Sequence, residues 1–267
     1  MKRLISIILL LTSLLASAKG VKEEKAVPYR DSLKDKCVLD IIIPEAEGPL
    51  PAVVWFHGGG LTGGNRKGIP SGLKKSGFII FSVEYRLIPE VEIGGCIDDA
   101  AAAVSWVFDN IEKYGGRKDM IFVAGHSAGG YLTDMIGLDK KWLSKYGKDP
   151  DEIAALIPFS GQVISHFAYR KSLGMSELQP SIDPFAPLYH IRPDAPPIII
   201  ISGDRNMELY GRYEETAYFW RMLKLVGHEE TYIYELQGYG HSNMAEPACQ
   251  ILKDHIKRIV KTKREVD

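Results

Sequence analysis

The sequence predicts one α/β domain whose mostly parallel central sheet is covered by helices on both faces, with a small loop-rich lid. Three observations carry that reading. Short apolar runs recur along the chain, and they are apolar on both alternating faces, as strands buried on two sides must be. Helical patterns separate the runs, as parallel pairing requires, because each crossover must carry the chain back to the start of the sheet. The 267 residues, 45% of them hydrophobic, suffice for a single full core.

Taken in order, the first eighteen residues stand apart. Lys2 and Arg3 precede an apolar run from Leu4 to Leu15, interrupted by Ser6, Thr12 and Ser13, and Ala16-Ser17-Ala18 follows. A basic start, a short apolar core and an Ala-x-Ala site predict a secretory signal occupying residues 1–18. The run is shorter than the ~20 apolar residues of a membrane-spanning helix. No Cys follows it directly, which argues against lipid attachment there. Cleavage after Ala18 would leave a single domain, residues 19–267, exported to the periplasm or beyond and free of the membrane.

A polar stretch from Lys19 to about Lys36, to which no element is assigned, precedes the apolar runs. Val38 to Ile43 reads as a strand stopped by Pro44, and Ala52 to Phe56 as a second, closed by three glycines. Phe78 to Val83 is a third. Ile97 to Ile111 reads as a helix with Val104, Val107, Phe108 and Ile111 on one face, stopped by Gly115-Gly116. Met120 to Ala124 is again a strand, followed by a helix from Ala128 to Leu138. Strands at Ala154–Phe159 and Pro197–Ser202, a helix at Tyr213–Val226, a strand at Thr231–Leu236 and a helix at Ala248–Val260 complete the alternation. Gly161 to Pro196 has five prolines and reads as a loop or small lid over the edge of the sheet.

Charge and cysteine content exclude several classes. The formal net charge is -1, and no long basic run marks a nucleic-acid footprint. The basic tail of Lys257, Arg258, Lys261, Lys263 and Arg264 suits the last turns of a helix, whose free carbonyls carry partial negative charge. Cys37, Cys96 and Cys249 are scattered, with neither metal spacing nor a disulfide framework, and are expected as buried small hydrophobes.

The sharpest local signal is Gly125-His126-Ser127-Ala128-Gly129-Gly130, at the junction of a strand and a helix. A nucleophilic serine there needs a tight turn that pushes its hydroxyl clear of the sheet, with small residues on either side where the chain doubles back. The free N–H groups of the helix that follows then face the oxygen that becomes negative during attack. Upstream, His57-Gly58-Gly59-Gly60 follows a strand directly. The N–H groups of Gly59, Gly60 and Ala128 are expected to form an oxyanion hole, worth about two to four kcal/mol per donor in a dry site. The ring of His57 is expected to hold that loop. A general base must come late in the chain, and His241, after the last strand and the loop Gln237-Gly238-Tyr239-Gly240, fits best. His166, His190, His228 and His255 are less well placed, and His126 reads as a packing residue.

These motifs, together with Ser82-Val83-Glu84-Tyr85-Arg86-Leu87-Ile88-Pro89-Glu90 and Asp98-Asp99-Ala100, resemble the hormone-sensitive-lipase-like and carboxylesterase branch of the α/β-hydrolases. The likeness covers nearly the whole expected mature chain. It implies the α/β-hydrolase fold and ester hydrolysis through an acyl-enzyme, with no cofactor and no metal, on a small-molecule or oligosaccharide ester. Exported bacterial members are similar to acetyl-xylan or feruloyl esterases. The family places a carboxylate about three residues beyond the glycine ending the penultimate strand, but counting from Gly203 reaches Asn206. Glu208 is the expected acid, with Asp204 and Asn206 the alternatives for orienting His241 and a cap on the next helix the other role open to Glu208. Without a carboxylate on His241 the chain would be a weak catalyst or a binding protein, and a peptidase or amidase on the same fold also stays open. Phe167, Tyr169, Arg170 and Tyr189 are candidates for sugar or aromatic contacts, though each also suits loop packing.

Overall fold

Strands β1 (Val21–Pro28), β2 (Val38–Pro44), β3 (Leu50–Phe56), β4 (Ile79–Val83), β5 (Gly116–His126), β6 (Ala155–Phe159), β7 (Ile198–Gly203) and β8 (Thr231–Leu236) form one sheet. Their order is β1-β2-β4-β3-β5-β6-β7-β8. The computed structural model describes residues 20–266, so the expected signal segment lies outside the described residues. From β4 onward across the sheet the pairing is parallel, while β1 and β2 pair antiparallel at one edge. This is the α/β-hydrolase architecture expected from the sequence.

Two apolar layers explain why the inner strands are apolar on both sides. Ala52, Val54 and Phe56 face a layer with residues of α2 (Ile93–Asn110), α3 (Ala128–Leu138) and α6 (Arg212–Leu225). Val53 and Trp55 face the opposite layer, built with Leu73 of the short helix α1 (Ser71–Lys74) and with Ala248, Cys249, Leu252 and Ile256 of α7 (Ala245–Val266). Each fully buried aliphatic or aromatic side chain contributes roughly 1.5–3 kcal/mol over its exposed state, so both layers hold the sheet. All three cysteines are buried and free. No helix among the described residues is long and apolar enough to cross a membrane.

The largest addition to the sequence reading is β1, which falls in the polar stretch to which no element is assigned. Its residues Lys22, Glu23, Glu24 and Lys25 lie on an edge strand with neither face buried, so there is no apolar alternation to read. Backbone pairing to β2 makes the strand, and charges and a register shift between Glu24 and Val27 protect its outer edge. Helix α2 begins at Ile93 rather than Ile97, β5 spans eleven residues instead of five, and α7 continues beyond Val260. The short helix α4 (Lys141–Ser144) follows α3. The irregular stretch Gly161 to Pro196 carries helix α5 (Phe167–Ser172) and a helical turn at Pro187–His190. The Tyr131 hydroxyl donates to the Phe185 carbonyl at 2.8 Å, tying this lid to α3.

Strand order also locates the crevice. β3 lies between β4 and β5, so the chain runs outward in opposite directions from the β3–β5 pair. Ligands of open α/β sheets bind outside the carboxyl ends of strands at such a reversal. The glycine loop after β3 and Ser127 after β5 both sit there.

Candidate active site

Ser127 occupies a turn that an L-residue rarely adopts, with φ 56° and ψ -115°, between β5 and α3. The flanking glycines are required by contact. A Cβ on Gly129 would lie 2.0 Å from the Phe56 carbonyl oxygen, and one on Gly125 would lie 2.4 Å from the Gly129 carbonyl carbon. The Ser127 N–H donates to the Phe159 carbonyl at 2.8 Å, which pins the turn to the neighbouring strand.

His241 brings the distant parts together. Its Nε2 lies 2.9 Å from Ser127 Oγ, and its Nδ1 lies 2.8 Å from Glu208 Oε2. Burial by itself would raise the Glu208 carboxyl, but hydrogen bonds and charge from His241, with further bonds from the Ser160 hydroxyl and the Gly203 N–H, bring it down to about 2. An ionised carboxylate only accepts, so Nδ1 carries the proton and Nε2 is left to accept from the Ser127 hydroxyl. That is the tautomer a general base needs.

Glu208, the acid expected from the sequence, is the carboxylate that lies against His241. Glu208 is five residues beyond Gly203 and bends back so that its Oε1 accepts from the Gly203 N–H at 2.9 Å. It does not cap α6, which starts four residues later. Asp204 instead braces the loops, accepting from the Gly238 and Asn206 N–H groups, each at 2.8 Å. The Asn206 side chain is exposed and its backbone shapes the turn. With a carboxylate on His241, the observation that favoured a non-catalytic protein is gone.

The other histidines have separate tasks. The His57 ring stacks on Tyr85 with centroids 4.3 Å apart, and its Nδ1–H donates to the Gly58 carbonyl at 2.7 Å, so it holds the glycine loop as expected. His126 does more than pack: its Nε2–H donates to the His241 carbonyl at 2.8 Å and tethers the loop bearing His241. Burial, and then the neighbouring His241, push His126 down to about 4. His166 caps α5, His190 bonds the Pro184 carbonyl, His228 meets Thr231, and His255 meets Tyr234.

The glycine loop lies against the serine turn. A Cβ on Gly58 would lie 3.3 Å from Ser127 Cβ, and Gly60 lies under the Phe167 ring. Among the described residues the N–H groups of Gly59, Gly60 and Ala128 make no hydrogen bond within the protein. Of the residues considered for substrate contact, Tyr169 packs on Phe185, Arg170 is buried, and Tyr189 is exposed beside His190. A cavity of about 480 Å³ opens between the lid and the acid-bearing loop, walled by Phe167, Leu178, Pro180, Leu209 and Tyr210. A larger one, about 660 Å³, lies at the amino ends of the strands around Lys118, Pro197 and Glu230, on the wrong edge for this chemistry. Among the described residues no group of His, Cys, Asp or Glu is arranged to hold a metal ion.

One residue at the site escaped the sequence reading. Ser160, completely buried at the end of β6, places its Oγ 2.9 Å from His241 Nδ1. Pro158-Phe159-Ser160-Gly161 matches no motif, and its proximity to the base follows only from β6 lying beside β5.

The family model BD-FAE matches residues 39–210. The chain belongs to the BD-FAE family. That match runs from β2 through the glycine loop and the serine turn to Glu208. Esterase LipC of Mycobacterium tuberculosis is 26% identical over 215 residues, covering 72% of this chain and 53% of LipC. The chain thus spans about half the length of the curated relatives it matches. A truncated carbohydrate esterase from gut microbiota superposes with a TM-score of 0.73 at 18% identity, over 90% of this chain and 96% of that one. The propionate-bound esterase Est2 of Thermogutta terrifontis superposes with a TM-score of 0.70 at 20% identity, over 91% and 95%. These superpositions show the same fold.

Proposed function

We propose that the protein is a serine carboxylic-ester hydrolase that works through an acyl-enzyme on short or aromatic acyl groups carried by carbohydrates. The observation that carries this reading is the relay from Ser127 Oγ through His241 to Glu208, with contacts of 2.9 and 2.8 Å. As the Ser127 oxygen attacks the ester carbonyl, its proton passes to His241 Nε2. Glu208 stabilises the imidazolium that results without taking the proton. The carbonyl oxygen, now negative, is received by the N–H groups of Gly59, Gly60 and Ala128 at the start of α3. His241 then gives its proton to the departing alcohol. Water, activated by the same nitrogen, attacks the acyl-serine and frees the acid.

Membership of the BD-FAE family and the likeness to a gut carbohydrate esterase support carbohydrate esters as substrates. The apolar part of the cavity wall, with Phe167, Leu178, Pro180, Leu209 and Tyr210, suits the acyl group or the ring next to it, and another part of the wall is charged, with Arg170, Glu177, Arg212, Glu214 and Glu215. Residues 1–18 support export to the periplasm or beyond, where polysaccharide esters are met.

The test is hydrolysis of p-nitrophenyl acetate beside acetylated and feruloylated xylan oligomers, by the purified parent protein and Ser127→Ala. Turnover of the esters by the parent and its loss in the variant are expected. Ser127→Ala retaining parental turnover would overturn the reading. Turnover of simple esters without the xylan oligomers would remove only the carbohydrate part.

A further inference from the structure

We infer that Ser160 is a positioning residue for this hydrolysis, its hydroxyl completing the hydrogen bonding around the His241–Glu208 pair and holding the imidazole in its working orientation. The inference rests on the proposed hydrolase reading, and three features of Ser160 lead to it.

The first is its backbone. Ser160 has φ 47°, in the left-handed region that residues other than glycine avoid. Glycine would enter that region freely, so a serine there keeps a hydroxyl at the cost of strain. The second is how firmly it is held. Its N–H donates to the Ile201 carbonyl at 2.7 Å. Its carbonyl accepts from Arg212 Nη1, and the buried Arg212 guanidinium is paired with Glu215 at 2.7 Å. On its far side Gly161 lies against Gly130, with no room for a Cβ on either. The Ser160 hydroxyl is therefore aimed by strand, helix and ion pair together.

The third feature is its target. Ser160 Oγ lies 2.9 Å from His241 Nδ1, the nitrogen that also meets Glu208. Because Nδ1–H is the donor, the oxygen of Ser160 accepts a share of that proton. The imidazole thus has two acceptors at Nδ1, and a flipped ring would lose both. Glu208 in turn receives donors from Gly203, Leu209 and His241, so it stays ionised and fixed while positive charge builds on the ring.

The full chain carrying Ser160→Gly, Ser160→Ala or Ser127→Ala tests this against p-nitrophenyl acetate. Glycine suits the backbone at 160, so Ser160→Gly is expected to melt at or above the parental temperature. Its kcat is expected to fall about tenfold, the effect of one hydrogen bond to a charged pair, with KM within about twofold. Ser160→Ala should show the same loss of kcat. The far-downfield proton resonance of His241 Nδ1–H should shift in both, a change that a purely structural role would not produce. A Ser160→Gly protein with parental kcat and an unmoved resonance overturns the inference, and so does a loss as complete as that of Ser127→Ala, which would make Ser160 the nucleophile. Full activity in Ser127→Ala instead removes the hydrolase mechanism itself, so the two failures are distinct.

Discussion

Ser127 closes β5 and Ser160 closes β6, the next strand across the sheet; their φ angles are 56° and 47°, and both hydrogen-bond His241. Their surroundings differ in three ways. Ser127 meets Nε2, the nitrogen with a free lone pair, whereas Ser160 meets Nδ1, which is committed to Glu208. Ser127 leads straight into an eleven-residue helix and faces the glycine loop, while Ser160 leads into the lid and has its carbonyl tied down by Arg212. Ser127 retains 8% exposure, and Ser160 has none. A strained serine at a strand end does not by itself define a nucleophile. The adjoining helix, the nearby bare N–H groups and the nitrogen it addresses are what favour Ser127 over Ser160 for the proposed role.

The comparison is broken or sharpened by substitution. Ser127→Ala should lower kcat by about 10⁴-fold or more, since nothing replaces the attacking oxygen. Steady-state hydrolysis of p-nitrophenyl acetate checks this, and a loss under about tenfold would transfer the role to another group. Glu208→Gln should cost about 10³- to 10⁴-fold in kcat at neutral pH, because the amide neither selects the tautomer by charge nor stabilises the imidazolium. Near-parental turnover in that variant would show that Ser160 alone can orient the ring. The loss expected for Ser160→Gly, about tenfold, lies well below both. Asn206→Ala should change kcat by less than about twofold, since its exposed side chain makes no contact with the base.

Acid stability reports the same network. The usual glutamate value of 4.5 falls to about 2 for Glu208 in the folded chain. Its stabilisation is thus fully present above pH 4.5 and is lost as pH falls through about 2. His126 adds a second window: lowered from 6.5 to about 4, it stabilises the fold fully above pH 6.5, and that share is lost as pH falls through about 4. Chemical denaturation between pH 7 and 3 should show a shallower decline for Glu208→Gln below pH 4.5 and for His126→Asn above it. Slopes equal to the parent's would contradict the folded-state protonation of these groups.

Much of the arrangement was legible because local chemistry demanded it. Gly125 and Gly129 have no room for a Cβ, so the serine turn had to be written in glycine. The inner strands are buried on two faces and so read as continuous apolar runs. His241, which the fold sets against Ser127, is marked in the sequence by its place after the last strand. Glu208 is favoured over the residue at the expected count for its longer side chain, and it reaches His241 because the chain bends between Gly203 and Leu209. Two features were hidden for physical reasons. β1 is held by backbone pairing with neither face fully buried, so its side chains carry no pattern. The roles of Ser160 and His126 depend on which strands and loops become neighbours, so neither residue is marked within its own segment.

The assignment of the two serines is tested most directly by treating the purified parent protein with diethyl p-nitrophenyl phosphate and mapping the adduct by peptide mass spectrometry. A single diethylphosphoryl group on the peptide containing Ser127, absent from Ser127→Ala and still formed in Ser160→Gly, is the expected result. Modification of Ser160, or no covalent adduct on either serine, would contradict it.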